Sequence, residues 1–196
     1  MRRLTGMVLA GGKSRRFGSD KALAELSGET LLSRAVTTLA KQCAEILIIG
    51  RTDVEKIEFP GDVTVRAEVD LIADIGPVGG LLTGLSVTSS ELNIVLAVDM
   101  PFASTALFDE LLDSIGKTDA AVPVAGQRLQ PLCAVYRKAC LPALEQYIHG
   151  GGRSVHGLLD RINYREVEFN ETEVFNDVDT RSQWLLAEKR LSGNGS

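Results

Sequence analysis

The run Thr5-Gly6-Met7-Val8-Leu9-Ala10-Gly11-Gly12-Lys13-Ser14-Arg15-Arg16-Phe17-Gly18-Ser19-Asp20-Lys21 decides how the rest of the chain is read. Its first six residues form a short apolar stretch stopped by two glycines, which suits a strand buried on both faces. Glycines after such a strand let the backbone approach a ligand closely, and successive N–H groups there can cradle phosphate oxygens. Arg15, Arg16 and Lys21 add charge suited to a polyphosphate. The bland alternative is a glycine turn with solvated bases. The loop is not a P-loop: Gly12-Lys13-Ser14 supplies the closing G-K-S, but the leading glycine position is held by Met7. No G-x-G-x-x-G of a dinucleotide fold is present either.

Outward from this loop, apolar runs of strand length alternate with segments of helical period. Strands are expected at Thr5–Ala10, Glu45–Ile49, Val63–Arg66, Asn93–Val98, Ala120–Val124, Leu132–Tyr136 and Tyr164–Phe169. The sixth is expected to run antiparallel across a turn at Gly126, and the seventh to lie at an edge. Helices are expected over Leu31–Gln42, Gly79–Val87 and Ala139–His149. Three more follow the capping residues Ser104, Ser154 and Thr180, whose hydroxyls can accept from first-turn N–H groups. This alternation predicts an α/β, Rossmann-like fold with a mostly parallel sheet covered on both faces. Ligands of such sheets bind beyond the carboxyl ends of the strands. No linker divides the chain, so one domain is expected over residues 1–191, with a flexible tail at 192–196.

Composition agrees with a globular protein. The 196 residues are 44% hydrophobic and 24% charged, which excludes a disordered chain, a collagen-like fibre and a disulfide scaffold. No apolar run approaches the roughly 20 residues of a membrane span. The stretch after Arg2-Arg3 is too short for a secretory signal, so a cytoplasmic protein is expected. The net charge is −5, yet residues 1–21 hold six bases against Asp20 alone, leaving −10 on the remainder. Such a chain lacks the basic face that nucleic-acid binding needs. Its positive charge is concentrated where one anion could sit. Cys43, Cys133 and Cys140 form no C-x-x-C and read as free thiols. His149 and His156 show no zinc spacing, and His149 suits the last turn of a helix.

Several other groups could carry chemistry. Asp99 ends an apolar strand before Met100-Pro101, where a carboxylate can hold Mg2+ together with substrate phosphate oxygens or merely cap a turn. Asp70 and Asp74 precede Gly76-Pro77-Val78-Gly79-Gly80, a turn that admits a planar group or simply starts the next helix. Arg128 and Gln130, then Arg153 and Ser154, place polar groups beside flexible backbone and could touch a second anionic substrate; surface loops are the plain alternative. Asp177 and Asp179 precede the last helix, where capping is the default and a metal contact the minority reading.

These residues resemble a known family. Leu9-Ala10-Gly11-Gly12, Ser14-Arg15-Arg16, Gly18 and Asp20-Lys21 resemble the L-A-G-G-x-S-x-R-x-G-x-D-K loop of molybdenum cofactor guanylyltransferases, the MobA type. Gly76-Pro77 with Gly79-Gly80, Asp99-Met100-Pro101, Gln130-Pro131-Leu132, Arg153-Ser154 and Phe175 before Asp177–Thr180 follow in the same order. The likeness covers about residues 5–190. It implies transfer of GMP from GTP to the terminal phosphate of molybdopterin, with release of pyrophosphate and a need for Mg2+. It also implies a nucleotide site of Leu9, Ala10, Gly11, Gly12, Lys21, Asp70 and Asp99, with Mg2+ on Asp99. Lys21, Arg15 and Asp99 would then be the catalytic groups, and Arg128, Gln130, Arg153, Ser154, Asp177 and Asp179 would face the acceptor. Transient contacts with other cofactor-biosynthesis proteins and acceptor-enzyme chaperones follow from the same likeness. Two departures stand out: Gly50 where the family can carry Asn, and Asp177 and Asp179 at places commonly Asn.

The chemistry is consistent with the residues themselves. Nucleotidyl transfer needs positioning and charge neutralisation, and a phosphate acceptor is already an anion, so no general base is demanded. The rival readings are a CTP-dependent enzyme on the same acceptor, which tends to have Ala at Gly11, a sugar-phosphate or methylerythritol-phosphate nucleotidyltransferase, whose loop begins L-A-A-G, and a non-catalytic GTP-binding regulator.

Overall fold

The computed structural model describes residues 3–11, 20–52, 54, 59 and 63–193. Strand β1 (Leu4–Leu9) is buried along its whole length and lies inside an eight-stranded sheet. A short hairpin of β2 (Glu25–Leu26) and β3 (Glu29–Thr30) leads into α1 (Leu31–Ala40), which is followed by β4 (Glu45–Ile49) and β5 (Thr64–Glu68). Helix α2 (Pro77–Val87) then crosses back to β6 (Leu92–Ala97). After α3 (Thr105–Ser114) come β7 (Ala120–Ala125), β8 (Arg128–Leu129), β9 (Cys133–Arg137), α4 (Leu141–His149), α5 (Val155–Leu159), β10 (Tyr164–Phe169) and α6 (Arg181–Gly193).

The strand order is β10-β7-β9-β6-β1-β4-β5, with β8 paired to β7. Strands β5, β4, β1 and β6 run parallel to one another, and β10 is parallel to β7. Only β9, between β6 and β7, and the short β8 run against them. This is the mostly parallel α/β sheet that the alternating pattern predicts.

Side chains of opposite parity along β1 feed two cores. Leu4 and Val8 join α1, α3 and α6 on one face through Leu32, Leu39, Phe108, Leu111 and Ala187. Met7 and Leu9 join α2, α4 and α5 on the other through Leu81, Leu85, Leu144 and Leu158. A strand with apolar groups on both sides has to be covered twice, and the helices do that. All three cysteines are buried free thiols, and burial pushes the Cys133 thiol up to about 12, which keeps it protonated and inert.

The caps agree with their sequence signals. Ser104 accepts from Leu107 N at 3.4 Å and Ser154 from Gly157 N at 3.0 Å. Replacing Ser104 by alanine removes the first of these, so a loss of about 1 kcal/mol is expected. Calorimetry should find the melting midpoint lower by about 2–4 °C, and Ser104→Gly should cost only a fraction of that. His149 is the last residue of α4, as expected.

The final helix corrects one boundary. It runs on through Ser192 and Gly193 instead of stopping at Leu191, and the Ser192 hydroxyl donates to Glu188 O at 2.8 Å. The hydroxyl back-bonds to the carbonyl one turn earlier. Residues 194–196 lie outside the described part. Among the described residues no helix is long and apolar enough to cross a membrane.

Candidate active site

The chain leaves β1 for β4 and β5 on one side, then returns to β6 on the other. At such a switch point the connections diverge and leave a crevice beyond the carboxyl ends of the two strands. The pairing of β1 with β6 extends past the strands, since Val98 N donates to Leu9 O at 3.1 Å. Asp99 is therefore delivered to the mouth of this crevice by strand register.

Lys21 meets Asp99 there. It opens a single 3-10 turn over Lys21–Leu23, capped by Asp20, whose carboxylate accepts from Ala22 N at 3.1 Å. The Lys21 ammonium lies 2.9 Å from Asp99 Oδ2 and also donates to Asp179 Oδ1. Lys21 is only 8% exposed. Burial alone would lower its pKa, but the hydrogen bonds and charges of Asp179 and Asp99 outweigh it and leave the pKa above the ordinary lysine value. Lys21 is thus a permanent cation at neutral pH.

The segment bearing Asp179 is pinned by main chain and side chain alike. Val178 N donates to Asp99 O at 3.0 Å, which lays residues 177–179 along the end of β6. Thr180 and Gln183 form a reciprocal cap on α6: Thr180 N donates to Gln183 Oε1 at 2.7 Å, and Gln183 N to Thr180 Oγ1 at 3.3 Å. The same Gln183 amide donates to Asp177 Oδ1 at 2.5 Å. Further along, Arg190 stacks over the Phe102 ring at 4.4 Å and ties α6 to the turn after Asp99. Neither Asp177 nor Asp179 caps the helix; Thr180 does. Asp177 is held above the usual carboxylate range by burial, then by the negative charges of Asp179 and Asp99.

A second group gathers around Asp70. Ala10 N donates to Ile49 O at 3.0 Å, so the ends of β1 and β4 stay side by side. A β-carbon built on Gly11 would lie 3.3 Å from Asp70 Oδ2, and one on Gly80 would lie 3.8 Å from Asp70 Oδ1. The carboxyl thus occupies a cradle lined by glycine backbone. Its Oδ1 is buried without a hydrogen-bond partner among the described residues, and burial raises its pKa. An unsatisfied acceptor is costly unless something else donates to it, so this oxygen is suited to a ligand.

The other sequence candidates are more dispersed. Gly12 and Arg15 lie outside the described residues. Leu9 closes β1 and is buried. Gln130 N donates to Pro123 O at 2.9 Å, and Ala97 N to Leu132 O at 2.8 Å, which brings the Gln130–Leu132 turn to the end of β6. Arg128, in β8, pairs with Ala125 at the end of β7 and is exposed. Arg153 turns back on its own helix end, donating to Ile148 O at 3.3 Å and Gly152 O at 2.8 Å, while Ser154 is a cap. Glycine at 152 and 157 makes room for the Tyr147 ring; a built β-carbon would lie 2.4 Å and 2.2 Å from its atoms. Packing, and not ligand approach, therefore accounts for those two glycines.

Sequence reading missed one pair. Arg51 grips Asp20 through two contacts of 2.7 Å. The signal was Gly50-Arg51 directly after a fully buried strand, in the position that must abut the loop after β1.

Asp99 offers the hard oxygen that Mg2+ prefers, at a place where phosphate oxygens could complete the shell. Among the described residues no group of three or more His, Cys, Asp or Glu could hold a metal by itself.

Comparison with known proteins places the chain. The family model of the MobA-like NTP transferase domain matches residues 6–164. A probable molybdenum cofactor guanylyltransferase of Pelotomaculum thermopropionicum is 36% identical over 166 residues, covering 84% of this chain and 79% of its own. A molybdenum cofactor guanylyltransferase of Desulfosudis oleivorans is 30% identical over 188 residues, covering 95% and 91%. The crystal structure of molybdopterin-guanine dinucleotide biosynthesis protein A from Archaeoglobus fulgidus shares the fold, with a TM-score of 0.79 at 23% identity over 96% of this chain and 99% of that one. The chain thus belongs to the MobA-like NTP transferase family and is a nucleotidyltransferase.

Proposed function

We propose that the protein transfers GMP from GTP to the terminal phosphate of molybdopterin, with or without bound molybdenum, giving the guanine dinucleotide and pyrophosphate. The observation that carries this reading is the contact of Lys21 with Asp99 at the carboxyl ends of β1 and β6. An acceptor phosphate oxygen attacks the α-phosphorus of GTP. The bond from that phosphorus to the bridging oxygen breaks, and its electrons leave with pyrophosphate. Little covalent chemistry falls to the protein, so placing charge is its main task.

Lys21, a buried cation, would meet the phosphates and leave Asp179 or Asp99 as they enter. Asp99 would hold Mg2+, which when bound supplies positive charge against the phosphate oxygens. The orphan Oδ1 of Asp70 would accept a donor of the nucleotide. Gly11 is favoured over alanine because a methyl group there would press on Asp70 and on Gly50, each 3.3 Å away. The names of the relatives support guanine as the base.

Pyrophosphate release from GTP, with CTP and ATP in parallel, Mg2+ and molybdopterin present, tests the reading. Release that requires the pterin and prefers GTP is expected. A preference for CTP would keep the mechanism and overturn the base. GTP binding without release would point to a regulator or a different acceptor.

A further inference from the structure

Two consecutive residues after β4 hold both ends of the glycine-rich segment. Gly50 backs onto its start, where a β-carbon built on Gly50 would lie 2.5 Å from Gly11 Cα and 2.8 Å from Gly11 N. Arg51 grips its end. Nη1 lies 2.7 Å from Asp20 Oδ1, and Nη2 lies 2.7 Å from Asp20 Oδ2. The same Oδ1 accepts from Ala22 N, so the carboxylate that receives Arg51 also caps the turn carrying Lys21. Gly50 N donates to Glu68 O at 2.8 Å, which anchors the two residues to the sheet.

We propose that Arg51 is a positioning residue of the transfer reaction, which through Asp20 fixes the turn that presents Lys21 and, with Gly50, sets the separation of residues 11 and 20. The proposal rests on the functional reading above. A guanidinium that makes two parallel bonds dictates orientation as well as distance, which a lysine in its place would not. Magnitudes separate this role from a merely structural one. The Asp20 side chain is 45% exposed and that of Arg51 only 6%, so breaking the pair from the Asp20 side with Asp20→Asn costs little overall stability, whereas Arg51→Ala also removes a buried side chain. A displacement of a catalytic group by about 1 Å can cost roughly 10²-fold in rate. The pair should therefore matter to turnover far more than to folding.

The test measures pyrophosphate release from GTP for Arg51→Ala and Arg51→Lys, each with Lys21 intact and in a Lys21→Ala background. With Lys21 present, Arg51→Ala should lower kcat/KM about 10²-fold. Without Lys21 the same change should cost less than about threefold, because two groups acting as one unit are not additive. Arg51→Lys should recover little, and the melting midpoint of Asp20→Asn should barely move. Equal losses in both backgrounds would overturn the proposal, as would an Asp20→Asn midpoint that falls in step with activity. Asp20→Asn carries the same comparison if Arg51→Ala does not fold. GTP affinity, measured by equilibrium binding, gives a second readout of the same cycle. A wild-type protein that releases pyrophosphate from no nucleotide defeats the functional reading, and the binding cycle then still decides for or against Arg51.

Discussion

Replacing Asp99 by asparagine is expected to lower kcat for nucleotidyl transfer by about 10²–10³-fold, the usual cost of losing one preorganised electrostatic contact. The substitution keeps the side chain's volume and one oxygen. It removes the charge that Lys21 meets at 2.9 Å and that a metal ion would need. Folding should survive it, since Lys21 retains Asp179 and so is not left as an unpaired buried cation. Steady-state pyrophosphate release reads the first effect, and circular dichroism with a thermal melt reads the second. Activity within tenfold of wild type would remove Asp99 from the mechanism. Adding Lys21→Ala to Asp99→Asn should cost much less than Lys21→Ala costs alone, because the two groups serve one charge distribution.

Gly50→Ala should be the most damaging alanine substitution among the described glycines with positive φ. At φ +87° an alanine is strained by about 1–3 kcal/mol. Its methyl group would in addition be forced within 2.5 Å of Gly11 Cα, a main-chain atom that cannot rotate aside. Gly28, in the β2–β3 turn, separates the two effects: it has φ +81° but nothing within 4 Å of a built β-carbon. Gly28→Ala should therefore lower the melting midpoint by strain alone. Gly50→Ala should lower it further, and only Gly50→Ala should weaken GTP binding. Equal shifts for the two variants would mean that the approach of Gly50 to Gly11 contributes nothing.

The elements that sequence reading captured share one trait. Strands at Glu45–Ile49 and Tyr164–Phe169 have the expected bounds, and β1 agrees within one residue, because buried or alternating runs of five or six residues carry a period that can be counted. Pairs of two-residue strands such as β2 and β3 contain no period, and only their Ser27-Gly28 turn leaves a trace. Gly152 is the opposite case. The backbone beside Arg153 and Ser154 reads as flexible in the sequence, whereas at Gly152 the Tyr147 ring fills the space that a side chain would have taken.

By itself the sequence determined the alternation of strands and helices, and it nominated the loop after β1 for phosphate binding and Lys21, Asp70 and Asp99 as site residues. Each of these is written in neighbouring residues. Only the tertiary structure decided that Lys21 joins Asp99 and Asp179, which lie 78 and 158 residues further on, and that Arg51 grips Asp20. Those partnerships depend on which strand lies beside which and in what register. Register is a property of the whole sheet, set by burying both faces of β1 at once, and no local pattern of residues contains it.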